Sequence, residues 1–544
     1  MLFRFCKLCQ RVERSAIVLQ RFRSTQTLQK EEDNHQAMTS TEAKQENTRI
    51  ITCKRSEFNF YLGQTYSKFE PIPLASRGWQ HKEARGDYFV IHPLMEEIPL
   101  NEDVTFQKLK IDPRLLKKLE ESNIASPTEI QKLAIPILET GCNTLISAET
   151  GCGKTLAFLL PLVQQILRWK KLIDRKPNTP LGLIITPSRE LAMQIAAQVT
   201  TLTRGIDFRS KLLIGGRTKK LMLNPSVTDV DLLICTLGVM SKLSTNNIYK
   251  LQAVRHVILD EMDALFDETF VEKLIPFMRR IPLNSSGHAD DITKYPAYSQ
   301  LTLVSATLPP EVMDVVEKIV DPNSMQHVRT DKLHKILVTQ KFKRVGKSQK
   351  PQELLKLVKQ RSSCKQPTIV FSNDSATCDW ISIFLKQFNV DNTHLNGRMP
   401  MVIREGKFAE FQKGMTHVLS TTNAGARGLD TTSVTHIINY DFPLNTVEYI
   451  HRCGRTGRIG SQNNCKITNF IARPLEIAVT QKIEKAARKM LPIPICDLTG
   501  TVLEKKKQIQ PVPRPSQKRM RAVQPEKPVE KKKTVVVEDP SIPY

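Results

Sequence analysis

Ala148-Glu149-Thr150-Gly151-Cys152-Gly153-Lys154-Thr155 follows a short apolar stretch and precedes an apolar helical one. Glycines at this spacing let backbone N–H groups wrap an anion at a helix N-terminus, where the helix dipole also favours negative charge. A lysine closing such a loop reaches the outer phosphates of a nucleoside triphosphate, and a hydroxyl beside it ligates Mg2+. Thr150, Gly151, Cys152 and Gly153 are therefore the phosphate-cradling candidates, with Lys154 as the catalytic cation and Thr155 as a Mg2+ ligand. The general pattern has Gly where Ala148 stands, so the loop is a variant form.

About a hundred residues on, Val257-Ile-Leu-Asp260-Glu261-Met262-Asp263 ends an apolar strand in acids. A triphosphate-hydrolysing site needs this opposite its phosphate loop: Asp260 to hold Mg2+ through water, and Glu261 to orient and deprotonate the attacking water. An isolated acid pair could equally start a helix. The phosphate loop upstream decides for catalysis. Upstream again, the Gln131 amide can bond both a donor and an acceptor on an adenine edge, and Phe106 can stack on the ring. Taken alone, both would be structural residues.

These groups need a scaffold that presents strand ends side by side. From residue 104 the chain alternates helices with short apolar runs: Thr144–Ser147, Leu183–Thr186, Lys211–Ile214, Leu232–Cys235, His256–Leu259 and Leu301–Val304. A second series comes after them: Thr368–Phe371, His417–Ser420, His436–Asn439 and Lys466–Phe470. Each run ends where small, polar or acidic residues begin, as buried parallel strands with functional loops at their C-terminal ends do. This predicts two α/β units separated near Val328–Lys350.

The chain has 544 residues, 80 Lys plus Arg against 55 Asp plus Glu, and a formal charge of +25. That surplus points to a polyanionic partner through counterion release. A basic leader and tail on a neutral core would give the same total. Residues 1–30 carry seven basic residues and one acid, Glu13, interleaved with apolar ones, the pattern of a mitochondrial transit peptide. A basic arm kept in the mature protein is the alternative. Residues 31–100 read as an extension, polar at first, then rich in aromatics: Phe58, Phe60, Tyr61, Tyr66, Phe69, Trp79, Tyr88 and Phe89. Packing against the α/β unit next in the chain is the favoured reading, and a base-stacking surface the other. Residues 501–544, with Lys505–Lys507, Lys531–Lys533 and several prolines, read as a disordered basic tail. It would serve non-specific RNA affinity, no role, or nuclear targeting, so nucleus or nucleolus is the alternative to the mitochondrial matrix. The eleven cysteines show no repeating spacing and read as thiols of a reducing compartment, with Cys6 and Cys9 lacking zinc-spaced partners. No apolar run reaches the ~18 residues that a membrane helix needs.

Across residues 104–500 the motifs together resemble the DEAD-box family of superfamily 2 helicases. Phe106, Thr128 and Gln131 match its adenine-reading motif; Pro187-Ser-Arg189-Glu190-Leu-Ala192 and Gly215-Gly216 match its next two. Asp260-Glu-Met-Asp263, Ser305-Ala-Thr307, Ala426-Arg427-Gly-Leu-Asp430 and His451-Arg452-Cys-Gly-Arg455-Thr-Gly-Arg458 match the rest. The resemblance implies two tandem RecA-like domains, 101–335 and 336–500, each a parallel sheet flanked by helices. It implies an RNA-dependent ATPase that locally opens or remodels RNA. Arg455 and Arg458 would act on the γ-phosphate from the second domain, and Asp430 would bond the ribose. Ser305, Thr307 and His451 would couple ATP to closure. RNA backbone would lie along Arg189, Gly216 and Thr236 of the first domain, and Gly397, Arg404, Thr422 and Arg427 of the second. Sequence specificity would then be low, and the 2′-hydroxyl would favour RNA.

Four single positions and one short stretch depart from the family pattern. Ser188 replaces Thr, Met262 replaces Ala, Thr236-Leu237-Gly238-Val239 lacks the usual Pro and Arg, Met401 replaces Gln, and Asn423 replaces Asp. Met262, Asn423 and Met401 keep open an ATP-gated RNA clamp with little turnover. Leu74-Ala-Ser-Arg-Gly-Trp79 with Gly86-Asp-Tyr-Phe89 resembles the extension of mitochondrial DEAD-box helicases linked to ribosomal RNA. It implies a role in ribosomal RNA processing or large-subunit assembly, with assembly proteins as partners.

Overall fold

The computed structural model describes residues 48–67, 70–93, 104–216, 227–284, 294–309, 311–331, 333–334, 337–362, 364–423, 429, 431–443, 445–461 and 464–495. The expected leader, Phe69, Arg427, Asp430 and the basic tail lie outside them. Among the described residues no helix is long and apolar enough to cross a membrane.

Three strands come first, β1 (Arg49–Cys53), β2 (Phe60–Tyr61) and β3 (Tyr88–Ile91). Helix α1 (Pro113–Glu121) then opens on Asp112, which accepts the Arg114 N–H, with Pro113 where a missing N–H costs nothing. The first α/β domain continues through α2 (Glu129–Leu138), β4 (Thr144–Ser147), α3 (Lys154–Trp169), β5 (Gly182–Thr186), α4 (Arg189–Leu202), β6 (Ser210–Leu213) and β7 (Leu232–Thr236). It ends with α5 (Leu237–Thr245), β8 (His256–Asp260), α6 (Met262–Leu265), α7 (Glu268–Met278), β9 (Gln300–Ser305), α8 (Glu311–Val316) and β10 (Gln326–Arg329). The strands form one parallel sheet in the order β10-β4-β9-β8-β5-β7-β6.

That order positions the chemistry. β4, β9 and β8 are neighbours, with Ser147 opposite Ser305 and Asp260 opposite Val304. The phosphate loop, Ser305-Ala306-Thr307 and the acids therefore leave the sheet side by side. β5, β7 and β6 carry Arg189, Thr236 and Gly215-Gly216 away on the other half of the same edge. β5 and β8 are buried along their whole length, which is why they read as unbroken apolar runs.

The second domain runs through β11 (Thr339–Arg344), α9 (Lys350–Ser362), β12 (Thr368–Ser372), α10 (Ser375–Gln387), β13 (Thr393–Leu395), α11 (Met401–Gln412) and β14 (Val418–Thr422). β15 (His436–Asn439), α12 (Thr446–Cys453), β16 (Lys466–Ile471) and α13 (Pro474–Arg488) complete it. Its sheet is parallel from β13 through β14, β12, β15 and β16 to β11. β3, β1 and β2 then extend it antiparallel.

The aromatic extension is thus ordered and packed, but on the second domain and not on the first, which is its neighbour in the chain. Phe89 stacks on Phe342 of β11 with centroids 4.8 Å apart, and Trp79 lies 5.5 Å from Phe89. Both Trp79 and Phe89 are fully buried, so they cannot serve as a base-stacking surface. Beneath them Glu484 and Arg488 of α13 form an ion pair with no exposed surface. Glu484 accepts the N–H groups of Ala75 (2.8 Å) and Ser76 (3.1 Å) and the Ser76 hydroxyl (2.6 Å). Arg488 donates to the Phe58 carbonyl (2.8 Å) and the Tyr66 hydroxyl (3.1 Å).

Removing one member of such a pair leaves the other charge buried and unmatched. Glu484→Ala is expected to lower the stability of the full chain by about 3–5 kcal/mol, read from its denaturant midpoint. Asp229→Ala, which breaks the exposed Arg209–Asp229 pair, should cost less than about 1 kcal/mol. Equal effects would show that the extension is not held through Glu484.

Candidate functional site

Gly153 caps α3 in a left-handed conformation (φ +94°) that only glycine adopts freely, so the helix can start directly after the loop. The Gln131 side chain braces this point. Its Oε1 accepts the Thr128 N–H (3.0 Å) and its Nε2 donates to the Gly153 carbonyl (3.1 Å). Any Cβ on Gly153 would stand 2.7 Å from Gln131 Nε2, a second reason for glycine. Lys154 Nζ donates to the carbonyls of Ala148 (2.7 Å) and Glu149 (2.6 Å), which hold the ammonium in the loop mouth. Phe106 is buried among Ile111, Leu115 and other core side chains, so its ring faces protein and not an open stacking site.

Asp260 ends β8 almost fully buried, its Oδ1 accepting the Glu261 N–H at 2.9 Å. Burial first, and the Glu261 charge second, push its carboxyl up to about 7. A divalent cation beside it would offset both. With the Thr155 hydroxyl lining the same cleft, the donor set is hard oxygen, which fits Mg2+. Glu261 sits at φ +49°, ψ +52°, a left-handed backbone that a non-glycine residue holds only when its surroundings enforce it. That turn sends Glu261 and Met262 to opposite sides. Met262 is fully buried in the apolar core with Leu259, Leu265 and Leu303, so this departure fills the core and does not crowd the carboxylates.

Asp263 joins three elements. It accepts the Thr307 hydroxyl and, across the domain boundary, His451 Nε2 at 2.8 Å. Thr307 is in turn tied to Ser305, whose hydroxyl donates to the Thr307 carbonyl (2.8 Å). Burial alone would raise the Asp263 pKa, but the His451 charge and these hydrogen bonds bring it down to about 2. Burial alone would lower His451, and Asp263 more than reverses it, so the imidazole is raised above its ordinary value.

The loop after α12 meets the phosphate loop across the domain boundary. Gly454 lies against Thr150 so tightly that a Cβ there would overlap the threonine side chain. The Ile459 N–H donates to the Gly151 carbonyl (3.2 Å), and a Cβ on Gly151 would come within 2.5 Å of Arg458 Cγ. Arg455 reaches Glu261 at 3.7 Å. The result is a cleft of about 270 Å3 lined by Thr150, Lys154, Asp260, Glu261, Arg455 and Arg458. Gln194 and Gln198 of α4 line it too, contributions that no motif spacing signals.

Arg452, which lies inside the His451–Arg458 motif but is given no role by it, is a hub. Fully buried, it donates to the amide oxygens of Asn423 (2.6 Å), Asn373 (2.6 Å) and Asn439 (3.3 Å) and to the Asp441 carbonyl (2.7 Å). It also lies over the Phe371 ring, 5.1 Å from its centroid. Asn423 therefore has a place as a neutral acceptor. The cost is electrostatic: burial draws the guanidinium pKa down to about 10.

On the other half of the edge, Arg189, Gly215, Gly216 and Thr236 line a second cleft together with Gly238, Ser241, Lys242 and Lys273. Arg189 lies against Gly215, where a Cβ would meet its Nη2 at 2.6 Å. Lys242 and Lys273 are further cations here that only tertiary packing assembles. Arg404 of α11 crosses to pair with Glu190, beside Arg189. Burial and the Arg189 charge lower its pKa, so two guanidinium groups share one seam. Gly397 is exposed after β13 and Thr422 ends β14. The Met401 side chain lies outside the described part of the structure.

Residues 128–315 match the DEAD/DEAH box helicase family, and residues 349–460 match the helicase conserved C-terminal domain. The probable ATP-dependent RNA helicase DDX28 of Mus musculus is 35% identical over 82% of this chain and 85% of its own length. The Homo sapiens protein of that name is 34% identical with the same coverage. The DEAD-box ATP-dependent RNA helicase RhpA of Helicobacter pylori is 30% identical over 70% of this chain and 72% of its own. Two solved structures share the fold. Mss116p, bound to ssRNA and AMP-PNP, has a TM-score of 0.61 and 24% identity, covering 71% of this chain and 78% of its own. S. cerevisiae Dbp5, bound to RNA and ADP BeF3, has a TM-score of 0.58 and 23% identity, covering 71% and 99%. With its phosphate loop, acids and arginines drawn around one cleft between two parallel sheets, the chain belongs to the DEAD-box family of ATP-dependent RNA helicases.

Proposed function

We propose that ATP binds in the cleft between the domains and that RNA backbone lies across Arg189, Gly216, Thr236, Gly397, Arg404 and Thr422, with Lys242 and Lys273 added. The observation carrying this reading is that Arg455 and Arg458 of one sheet meet Glu261 and the phosphate loop of the other. Lys154 exchanges loop carbonyls for phosphate oxygens, and Glu261 orients and deprotonates the attacking water. Arg455 and Arg458 neutralise charge developing on the transferred phosphoryl group, worth ~10³-fold or more in rate. Thr155 and Asp260 hold Mg2+, which supplies charge neutralisation on the phosphates when bound. Gln131 and Thr128 hold the nucleotide side of the loop. His451 signals closure to Ser305 and Thr307 through Asp263.

The residues 1–30 pattern supports import into mitochondria, and the 74–89 block supports work on ribosomal RNA during large-subunit assembly. Fusing residues 1–30 to a fluorescent protein should give mitochondrial signal. Diffuse cytosolic or nuclear signal would overturn the assignment.

Lys154→Ala and Glu261→Gln are expected to abolish RNA-stimulated ATP turnover, a loss on the order of 10³-fold. Glu261→Gln should still bind ATP and RNA, because the amide keeps size and most hydrogen bonding. Turnover of the unaltered chain below that of Glu261→Gln would leave a clamp without catalysis.

The Asp263–His451 contact fixes the sign of a pH effect. The lowered Asp263 contributes above the ordinary carboxylate range and loses that contribution as pH falls towards about 2. The raised His451 contributes fully below its ordinary value and loses it as pH rises through the raised one. The turnover ratio of the natural protein to His451→Gln should therefore be largest between the carboxylate range and the ordinary histidine value, and shrink as pH rises through the raised one. A ratio independent of pH would remove His451 from the coupling path.

A further inference from the structure

Helix α10 and its C-cap residue Phe388 carry an apolar stripe that the core uses only in part, through Phe384. Trp380, Ile383 and Phe388 are 43%, 59% and 44% exposed, at helical spacing along one side. Trp380 stacks on Phe384 with centroids 5.0 Å apart, and Phe384 lies 5.0 Å from Phe388. The stripe borders α9, whose Leu355 is packed only in part against the same core, and Lys359 reaches over the Phe388 ring at 5.9 Å. The two helices thus form a shallow apolar groove.

Its rim is basic. On α9, Lys356 and Lys359 are exposed, the second lying over the Phe388 ring. The acids of these helices are engaged elsewhere: Glu353 pairs with Lys343, and Asp379 accepts from Asn396 and faces His394. The groove lies on the sheet face of Val370, whereas Phe371, under Arg452, points to the other. An occupant would leave the ATP cleft open.

We infer that this groove docks an acidic amphipathic helix of a partner protein. Helix-in-groove recognition needs apolar anchors at i, i+3 or i+4, and i+7 or i+8, which Trp380, Ile383, Phe384 and Phe388 mirror. The lysine rim selects an acidic polar face on the partner. RNA is the weaker occupant. Trp380 and Phe384 each occupy one face of the other's ring, and Ile383, the most exposed member, offers no π surface for a base.

The chain reports on this groove itself. Of its three tryptophans, Trp79 and Trp169 are buried and Trp380 is the exposed one. Acrylamide quenching of the full-length protein is measured with two synthetic helices of identical Leu/Phe face, one with Glu and one with Lys on the polar face, and with a U-rich single-stranded RNA. The Glu helix should shield Trp380 and bind about tenfold tighter than the Lys helix. Lys356→Glu and Lys359→Glu combined should invert that preference. Ile383→Asp, a change at an exposed position, should abolish shielding and leave RNA-stimulated ATPase unchanged. Equal binding of both helices overturns the proposal. So does shielding by the RNA alone, self-association that Ile383→Asp abolishes, or shielding in the free protein that vanishes when residues 496–544 are removed.

Discussion

The contact of the phosphate loop with the loop after α12, backbone against backbone, constrains everything else in this molecule. Gly454 has no room for a side chain beside Thr150, and the Gly151 carbonyl accepts the Ile459 N–H. Only with these two loops in register do Arg455 and Glu261 come within 3.7 Å. Charge stabilisation of a transferring phosphoryl group depends on donors already aimed before reaction. Half of those donors belong to each sheet, so the chemistry is conditional on closure. The Asp263–His451 hydrogen bond and the Arg404–Glu190 pair are further polar contacts across the same boundary. One lies at the nucleotide side and the other at the proposed RNA side, so a ligand on either edge bears on the same motion.

Much of this was legible in the sequence because buried parallel strands announce themselves. Thr144–Ser147 and His436–Asn439 are read to the residue, since both are apolar runs bounded by polar ones. β10, with the sequence Gln-His-Val-Arg, and β11, with Thr-Gln-Lys-Phe-Lys-Arg, give no such signal. β10 is an edge strand exposed on all but Val328, and β11 buries alternate residues only. The phosphate loop and acids were legible through local spacing. Phe106 was not, because a lone phenylalanine does not declare whether its ring meets a ligand or the core. Nor was the role of Asn423, which exists only because Arg452, 29 residues away, is buried beside it.

Buried charge recurs at the places where distant segments are joined. Arg452 collects acceptors from three different strand ends, and the Glu484–Arg488 pair collects the extension. Neither arrangement is a strong source of stability, since desolvation cancels much of the attraction. Each does demand specific partners. An apolar residue at 484 could pack, but could not bind the N–H groups of Ala75 and Ser76 in one register. The register matters because β3 is an antiparallel addition to an otherwise parallel sheet, and a one-residue slip would turn Phe89 away from Phe342.

The extension also makes the second domain discontinuous in sequence, with consequences for folding. Ala75 and Glu484, which are hydrogen-bonded, stand 409 residues apart. The first domain is complete once β10 at Arg329 has been made, before β11 exists. Ile51, Phe60, Trp79 and Phe89, all buried in the finished protein, therefore lack their second-domain partners, such as Phe342, through the synthesis of the whole first domain. Contacts of such separation carry a high loop-closure cost and form late. An apolar segment waiting that long is exposed to mispairing at its strand edges. Lys54 and Arg55, both bonded to Asp87 in the folded state, place charge on the waiting strands and work against that. The same topology means that α13 cannot bury Arg488 without the extension, so the C-terminal helix of the catalytic core depends on residues that precede the core altogether.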